Sequence, residues 1–364
     1  MKPGLLCWLG LVALLGSGCS TGSYYWQAVR GHLQIVSRER SIPDVIADTN
    51  TVPEVSEKLK QVLELRTFAE RELKLPVDGH YRRYADLNRR FVVWNVHAAP
   101  EFSLEAKTWW YPMVGRLKYR GFFSESAAKR LAGRLSKHDQ EVFVGGVEAY
   151  STLGWFRDPV LNTFLHHAPP DLAEILFHEL AHQKLFVSGD TDFNEAFATS
   201  VGQEAAKRWL LRTDRKALLQ EYLGDQRRER EFVLIVQETR RELAALYRLH
   251  PVHLDSRPDP ELLEALRRRK SELLGQLRGR HDELRKSWGG ISPYASWFSG
   301  PLNHPQLNTV ATYFDLVPGF ERLLRECEGD LPKFYERVRK LGRLSKAERR
   351  CVLTREVEFS GARE

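Results

Sequence analysis

Two histidines separated by three residues, with a glutamate between them, are the strongest chemical signal in the sequence. The segment reads Phe177-His178-Glu179-Leu180-Ala181-His182. Four residues make about one helical turn, so both imidazoles project from one face and could hold one Zn²⁺ ion. Glu179 would lie beside the open position of the metal, where it could take a proton from a zinc-bound water and pass it to a leaving amine. Apolar neighbours favour a buried metal centre over two surface histidines.

A third protein ligand must come from further along the chain. The metzincin pattern would require glycine at position 185 and histidine at position 188, but Leu185 and Ser188 stand there. The segment Asn194-Glu195-Ala196-Phe197-Ala198 resembles the Asn-Glu-x-x-Ala element of gluzincins, which implies Glu195 as the ligand. Glu204, at a separation closer to that in thermolysin, is the alternative. Nine helical residues rise by roughly 13 Å, so only one of these glutamates can reach the metal, and we expect Glu195.

A glycine-rich segment upstream of the histidines is a candidate for substrate binding. Gly145-Gly146-Val147-Glu148-Ala149 resembles the Gly-x-Met-Glu-Asn strand of zinc aminopeptidases. The resemblance implies that Glu148 binds the free α-amine of the substrate and that the strand around Gly146 contacts the peptide. The alternative interpretation is that Glu148 is an exposed strand residue without such a role.

The elements that must position these residues are mostly helices. Helical periodicity and capping residues predict helices over 24–36, 53–75, 124–136 and 169–187. Runs of β-branched and aromatic residues predict strands over 91–96 and 141–147. Clustered Gly, Pro, Ser and Asn predict a loop over 289–305, with helix again from Val310.

A long Arg-, Glu- and Leu-rich segment extends from Ala205 to Trp288. The prolines within Asp255–Pro260 divide it into two helices, which we expect to form an antiparallel hairpin. Residues 19–364 are therefore predicted to form one helix-dominated α+β domain, into which 205–288 is inserted as a helical hairpin. The resemblance to gluzincins implies that this domain has a zincin-like metallopeptidase core. Interspersed acidic residues make the arginine runs of this segment a solvated helix face rather than a nucleic-acid patch.

The amino terminus is typical of an exported lipoprotein. Lys2 precedes an apolar stretch over Leu5–Leu15 that is too short to span a bilayer as a helix and suits a signal peptide. Small residues lead directly to Cys19, which resembles the acylated cysteine of a bacterial lipobox. We therefore predict a signal peptide over 1–18, a lipid anchor on Cys19, and an outer-membrane location facing the periplasm, since serine follows the cysteine. Ordinary secretory cleavage is the alternative.

Composition narrows the remaining possibilities. The chain has 364 residues, of which 42% are hydrophobic and 28% charged, and its mean hydropathy is −0.43. These values exclude intrinsic disorder and a polytopic membrane protein. A net charge of +7 over this length is too diffuse to indicate a nucleic-acid partner. Export would leave Cys327 and Cys351 in an oxidising compartment, as either a disulfide or two free thiols.

Four segments together resemble the bacterial "putative aminopeptidase" lipoprotein family. They are Tyr24–Gly31, Ala149–Pro159, the histidine helix with its Asn-Glu-x-x-Ala element, and Val310–Pro318. The resemblance implies a zinc peptidase acting on peptide substrates. Peptide hydrolysis needs a donor for the developing oxyanion, and Tyr313 and Tyr150, both in resembling segments, are the candidates.

We therefore expect zinc-dependent peptide hydrolysis, most simply from the amino terminus, with one Zn²⁺ ion. A zinc endopeptidase is one alternative. A non-catalytic scaffold, stabilised by zinc and binding partners through the hairpin, is another, although a structural site has no use for Glu179 as a general base.

Overall fold

The computed structural model describes residues 19–112, 114–149, 157–251 and 259–355, and helices dominate them. The helices are α1 (Cys19–Val36), α2 (Ile42–Ala47), α3 (Pro53–Arg71), α4 (Glu125–Ser136), α5 (Asn162–Leu165), α6 (Pro169–Lys184), α7 (Thr191–Arg212), α8 (Lys216–Leu249), α9 (Pro260–Ser287), α10 (Ala295–Phe298), α11 (His304–Phe314), α12 (Val317–Glu326), α13 (Leu331–Gly342) and α14 (Lys346–Thr354). The strands are β1 (Glu39–Ser41), β2 (Arg83–Ala85), β3 (Val93–Pro100), β4 (Trp109–Tyr111), β5 (Gly115–Leu117), β6 (Arg120–Phe122), β7 (Gln140–Val147) and β8 (Val160–Leu161).

Helices α6 and α7 form the centre of the main hydrophobic core. Helix α6 begins at Pro169, where the missing N–H of proline leaves no hydrogen bond unmade. Helix α7 is buried on nearly all sides, with Phe193, Phe197 and Trp209 fully covered. Helices α3, α12 and α13 pack around this pair and complete the core.

The largest extended pairing is a three-stranded antiparallel sheet in the order β6-β3-β7. Its long pair runs from Val93 opposite Val147 to Pro100 opposite Gln140. Helix α4, with Ser124 as its side-chain N-cap, covers one face of this sheet. Strands β1, β2 and β8 form a second sheet, and β4 pairs with β5 in a third. The described residues therefore form a helix-dominated α+β fold.

Helices α8 and α9 form the antiparallel hairpin. Arg280 on α9 pairs with Glu242 on α8 at 2.8 Å, and a separate apolar cluster fills the contact between the helices and α11. The hairpin begins at Lys216 rather than at Ala205. Residues 205–212 instead continue α7, because Ala205 and Ala206 pack into the main core, and the chain turns at Asp214 with a φ of 54°.

Other element boundaries differ from expectation by a few residues. Helix α6 ends at Lys184 instead of 187, because Leu185 is extended and starts the return toward α7. Helix α11 begins at His304, where the Asn303 side chain caps it, so the expected loop over 289–305 is shorter. Cys327 and Cys351 are both free thiols. Within the described ranges no helix has the length and apolar character needed to cross a bilayer.

Candidate metal centre

The structure brings His178, His182 and Glu195 together; these three side chains are called the His–His–Glu cluster below. The Nε2 atoms of the two histidines lie 3.2 Å apart, as their placement one turn apart on α6 requires. An Oε2 atom of Glu195, near the start of α7, lies 3.4 Å from His178 Nε2 and 3.5 Å from His182 Nε2. Three donor atoms from two antiparallel helices thus converge on one point.

Asn194 fixes the loop that returns the chain from α6 to α7. Its Oδ1 accepts a hydrogen bond from the Val187 N–H at 2.8 Å, and its Nδ2 donates to the Val187 carbonyl at 2.8 Å. Gly189, at a φ of +77°, makes the tight turn between them. The side chain of Asn194 thus binds both the N–H and the carbonyl of Val187, and this fixes the loop against the start of α7. The next residue, Glu195, faces the two imidazoles.

Gly202 lets the two ligand-bearing helices approach closely. A Cβ atom at this position would lie 3.0 Å from the carbonyl oxygen of Glu174 and 3.2 Å from the Cβ of His178. Both distances are tighter than ordinary van der Waals contact. The absence of a side chain at 202 therefore sets the spacing between the backbone of His178 and that of α7. Sequence reasoning did not single out this glycine.

Within the His–His–Glu cluster, the charge of Glu195 and the charges of the histidines stabilise one another. Burial alone would raise the pKa of Glu195, but the charge of His182 and hydrogen bonds with both histidines hold it well below its usual range. Burial disfavours the charged form of His182, yet Glu195 raises its pKa overall. Glu179, the residue after His178, has a raised pKa chiefly because it is buried.

Tyr313 of α11 lies beside the cluster, and 38% of its surface is exposed. Its ring is stacked near that of His178, with centroids 6.2 Å apart. The charge of Glu195 is the chief cause that raises the pKa of Tyr313 well above its usual value. The hydroxyl therefore stays protonated, and it can act as a hydrogen-bond donor in the cavities that adjoin the cluster. Tyr150, the other expected oxyanion donor, lies outside the described residues.

Glu204 lies away from the cluster. Its carboxylate pairs with Arg208 at 2.8 Å and with Lys207 at 2.7 Å. The rise along α7 separates it from Glu195, in keeping with the helical geometry. Glu204 therefore has its own cations, whereas Glu195 faces the two histidines.

Glu148 and Gly146 are placed differently from each other. The Glu148 carboxylate is hydrogen-bonded to His167 Nε2 at 2.6 Å, while its neighbours Val147 and Ala149 line the cavities next to the His–His–Glu cluster. Gly146 lines a cavity that Glu195 and Tyr313 also line, and a Cβ there would lie 2.4 Å from the ring of Phe91. Gly146 therefore borders the candidate site, whereas the carboxylate of Glu148 is hydrogen-bonded to His167 instead.

The donor set of the cluster fits a zinc ion. Ligand atoms at about 2.0–2.1 Å from a tetrahedral zinc are separated by about 3.3–3.4 Å. The three separations in the cluster, 3.2, 3.4 and 3.5 Å, match this spacing. A second group of potential ligands, formed by Glu148, His166 and His167, contains the 2.6 Å contact described above. That distance is typical of a hydrogen bond and too short for two ligands of one ion.

Besides the cavity that Gly146 lines, two more adjoin the His–His–Glu cluster. One, the aromatic cavity, is about 300 Å³ in volume, and its lining includes the aromatic residues Tyr24, Tyr111 and Phe186. The other, the acidic cavity, is about 530 Å³ in volume and extends between α6 and α8 toward Glu174 and Glu229. His178, Glu179 and Tyr313 line both. Glu174 lies one helical turn before His178, a signal visible in the sequence, whereas nothing local links Glu229 to the site.

The fold and the cluster define a helix-dominated α+β protein with two histidines and one glutamate arranged as zinc ligands would be. A family model described as "Putative aminopeptidase" matches residues 23–353. The chain belongs to this family. No curated protein and no solved structure matches the chain.

Proposed function

We propose that the protein is a zinc-dependent peptidase with a zincin-like core, and that it acts as an aminopeptidase. The observation that carries the proposal is the convergence of His178, His182 and Glu195 at zinc-ligand separations, beside Glu179, which lines the adjoining cavities. The name of the family supports hydrolysis from the amino terminus. A catalytic zinc site keeps one coordination position open, and three protein ligands leave such a position.

Each residue of the site has a distinct part in the proposed reaction. His178, His182 and Glu195 would hold the zinc, which supplies Lewis acidity toward the scissile carbonyl. Glu179 takes the proton of the attacking water and later gives it to the nitrogen of the leaving peptide. The Tyr313 hydroxyl donates a hydrogen bond to the oxygen on which negative charge develops.

Replacement of Glu179 by glutamine tests this mechanism. The amide keeps the size of the side chain but cannot accept a proton, so we expect hydrolysis to fall by about 10²- to 10⁴-fold. Zinc content, measured by mass spectrometry of the purified protein, should stay at one ion per chain. Product analysis of a peptide library by mass spectrometry, with and without a chelator, would distinguish single-residue release from internal cleavage.

The possible outcomes separate the alternatives. Unchanged turnover in Glu179→Gln would exclude the proposed base. Internal cleavage products would identify an endopeptidase. Stoichiometric zinc without any hydrolysis by the wild-type protein would favour the zinc-stabilised scaffold.

We also propose that the protein is exported and anchored by a lipid on Cys19. The support is the sequence pattern alone, because residues 1–18 lie outside the described part of the chain. Cys19→Ala should move the protein from the membrane fraction to the soluble fraction or leave the precursor unprocessed. Fractionation and gel mobility identical to the wild type would contradict the lipid anchor.

A further inference from the structure

The acidic cavity lies between two helices: α6, which carries His178 of the His–His–Glu cluster, and α8. On α6, Asp171 and Glu174 precede His178 at helical spacing, and on α8, Asp225 and Glu229 lie at the matching interval. Residues spaced by three or four positions share one helix face. With Glu179, these residues give the cavity five carboxylates, and none of its described lining residues is Lys or Arg.

Glu174 and Glu229 are the two carboxylates held most firmly. Glu174 Oε2 accepts hydrogen bonds from the Tyr222 hydroxyl at 2.5 Å and from Gln226 Nε2 at 3.2 Å. Glu229 Oε2 accepts one from Gln203 Nε2 at 2.7 Å. These donors are neutral, so they orient the carboxylates without cancelling their charge. Asp225, by contrast, is paired with Arg228.

No ion pair with Lys or Arg engages Glu174 or Glu229 within the described ranges. The charged groups that act on them are His178, Arg230 and other carboxylates. Burial raises the pKa of both Glu174 and Glu229 above the usual range of a glutamate, and the charge of Glu174 raises that of Glu229 further. Holding two such groups together without an ion pair from the described Lys and Arg residues is costly. Costly arrangements of this kind are concentrated at functional sites.

We propose that the acidic cavity binds the ammonium group of a peptide substrate through Glu174 and Glu229. The proposal rests on the zinc peptidase function argued above. Because His178, Glu179 and Tyr313 line the same cavity, a group bound there is contiguous with the bond to be cleaved. A primary ammonium matches the site since it has three N–H donors and one positive charge, and it meets two carboxylates on opposite walls.

This assignment replaces Glu148 as the residue that recognises the substrate's amine. Glu148 is hydrogen-bonded to His167, whereas Val147 and Ala149 on either side of it line the acidic cavity. The ammonium can belong to the α-amine of the first residue or to a lysine side chain. Both have the same chemistry, and the choice of probe distinguishes them.

Binding can be measured without hydrolysis in the Glu179→Gln background. Leucine amide, which has a free α-amine, is titrated by calorimetry into zinc-loaded protein, and N-acetyl-leucine amide serves as the uncharged probe. Adding Glu174→Gln or Glu229→Gln should weaken leucine amide binding by about 10- to 100-fold, the usual effect of losing a hydrogen bond to a charged group. Acetylated leucine amide should bind weakly and equally to all variants.

Glu221→Gln is the matched control. Glu221 is an exposed residue of α8 that does not line the cavity, so its replacement removes the same charge without removing a wall. Leucine amide binding should change by less than about twofold, as expected for a solvent-screened charge. Tight binding of N-acetyl-lysine amide, lost in Glu174→Gln and Glu229→Gln, would support the ammonium site and identify the lysine side chain as its occupant.

Two results would overturn the proposal. One is equal affinity for leucine amide and its acetylated form in every variant. The other is a second zinc ion per chain that disappears in Glu174→Gln and Glu229→Gln, which would make the carboxylates metal ligands. Neither result depends on turnover, so the peptidase function is judged separately by the activity of wild type against Glu179→Gln.

Discussion

The aromatic and acidic cavities share Val147, Ala149, His178, Glu179 and Tyr313 but differ in the charge of their other lining residues. In the aromatic cavity, the charged and imidazole residues that line it are those of the His–His–Glu cluster and Glu179, and the rest is aromatic, aliphatic or neutral. In the acidic cavity four further carboxylates face the site. Apolar walls favour apolar side chains, and an acidic wall favours cations.

This difference gives the proposed site a direction. A peptide with its ammonium group in the acidic cavity would carry its first scissile carbonyl past Glu179 and Tyr313. An apolar side chain would then find its complement in the aromatic cavity, lined by residues of α1 and of β3–β5. A symmetric cleft would not distinguish the two ends of a peptide, whereas this one does so by charge. The predictions below test the cluster between the cavities, then the spacing of the helices, and last the contrast between the walls.

We expect the largest effect, a loss of bound zinc, from a substitution in the His–His–Glu cluster, which lies between the two cavities. Glu195→Ala removes one of three proposed ligands and should lose most of the bound zinc, whereas Glu204→Ala should retain it. The two residues lie on the same helix, and Glu204 is satisfied by Lys207 and Arg208 instead of the histidines. Metal content of the two purified proteins is the measurement. Zinc loss from Glu204→Ala with retention in Glu195→Ala would mean that the third ligand is wrong.

We expect a moderate loss of stability from a substitution at the contact between α6 and α7. Gly202→Ala places a Cβ atom 3.0 Å from the Glu174 carbonyl and 3.2 Å from the Cβ of His178. Forcing the backbones apart should lower the free energy of unfolding by about 1–3 kcal/mol and weaken zinc binding. The natural control is Gly224→Ala on α8, where the nearest atom, in the flexible Arg228 side chain, is 3.7 Å away.

Gly224→Ala should stabilise the protein by about 0.5–1 kcal/mol, because alanine is the better helix former. Denaturant unfolding of both variants measures the difference. Equal stabilisation by the two substitutions would show that α6 and α7 have room to separate, and Gly202 would then have no part in positioning His178.

The grouping of His178, His182 and Glu195 could be predicted from the sequence because its geometry is local. One helical turn relates His178 to His182, and a short loop with its own side-chain clamp, Asn194, brings Glu195 back to them. The acidic wall could not be predicted in this way. Glu229 reaches the site only because α8 packs along α6. The helical periodicity of residues 205–288 predicts a helix there but does not predict which other helix α8 packs against.

Two glycines show the same difference between what a local sequence pattern predicts and what only the packing of helices determines. Gly189 could be expected in a tight loop because a positive φ suits glycine. Gly202, in the middle of a helix, is explained only by the backbone of α6 passing 3.0 Å from the position of its missing Cβ. The hairpin begins at Lys216 instead of the predicted Ala205 for a related reason. Lys207, Arg208 and Arg212 give residues 205–212 the composition of the hairpin, yet Ala205, Ala206, Trp209 and Leu210 pack into the main core.

The smallest expected effect tests the contrast between the walls directly. Ala28 of α1 lines the aromatic cavity, so Ala28→Asp would introduce a carboxylate on the apolar side of the site. Ala28→Asn introduces nearly the same volume and polarity without the charge, and it is the matched control. If the two walls orient the peptide by charge, the aspartate should lower kcat/KM for a leucine-containing substrate relative to a lysine-containing one by about 10-fold, the scale of a single pocket contact. The asparagine variant should lower both in similar proportion, because it removes apolar complementarity without attracting a cation. The same change in selectivity in the two variants would show that volume and polarity, rather than the charge contrast between the cavities, select the side chain.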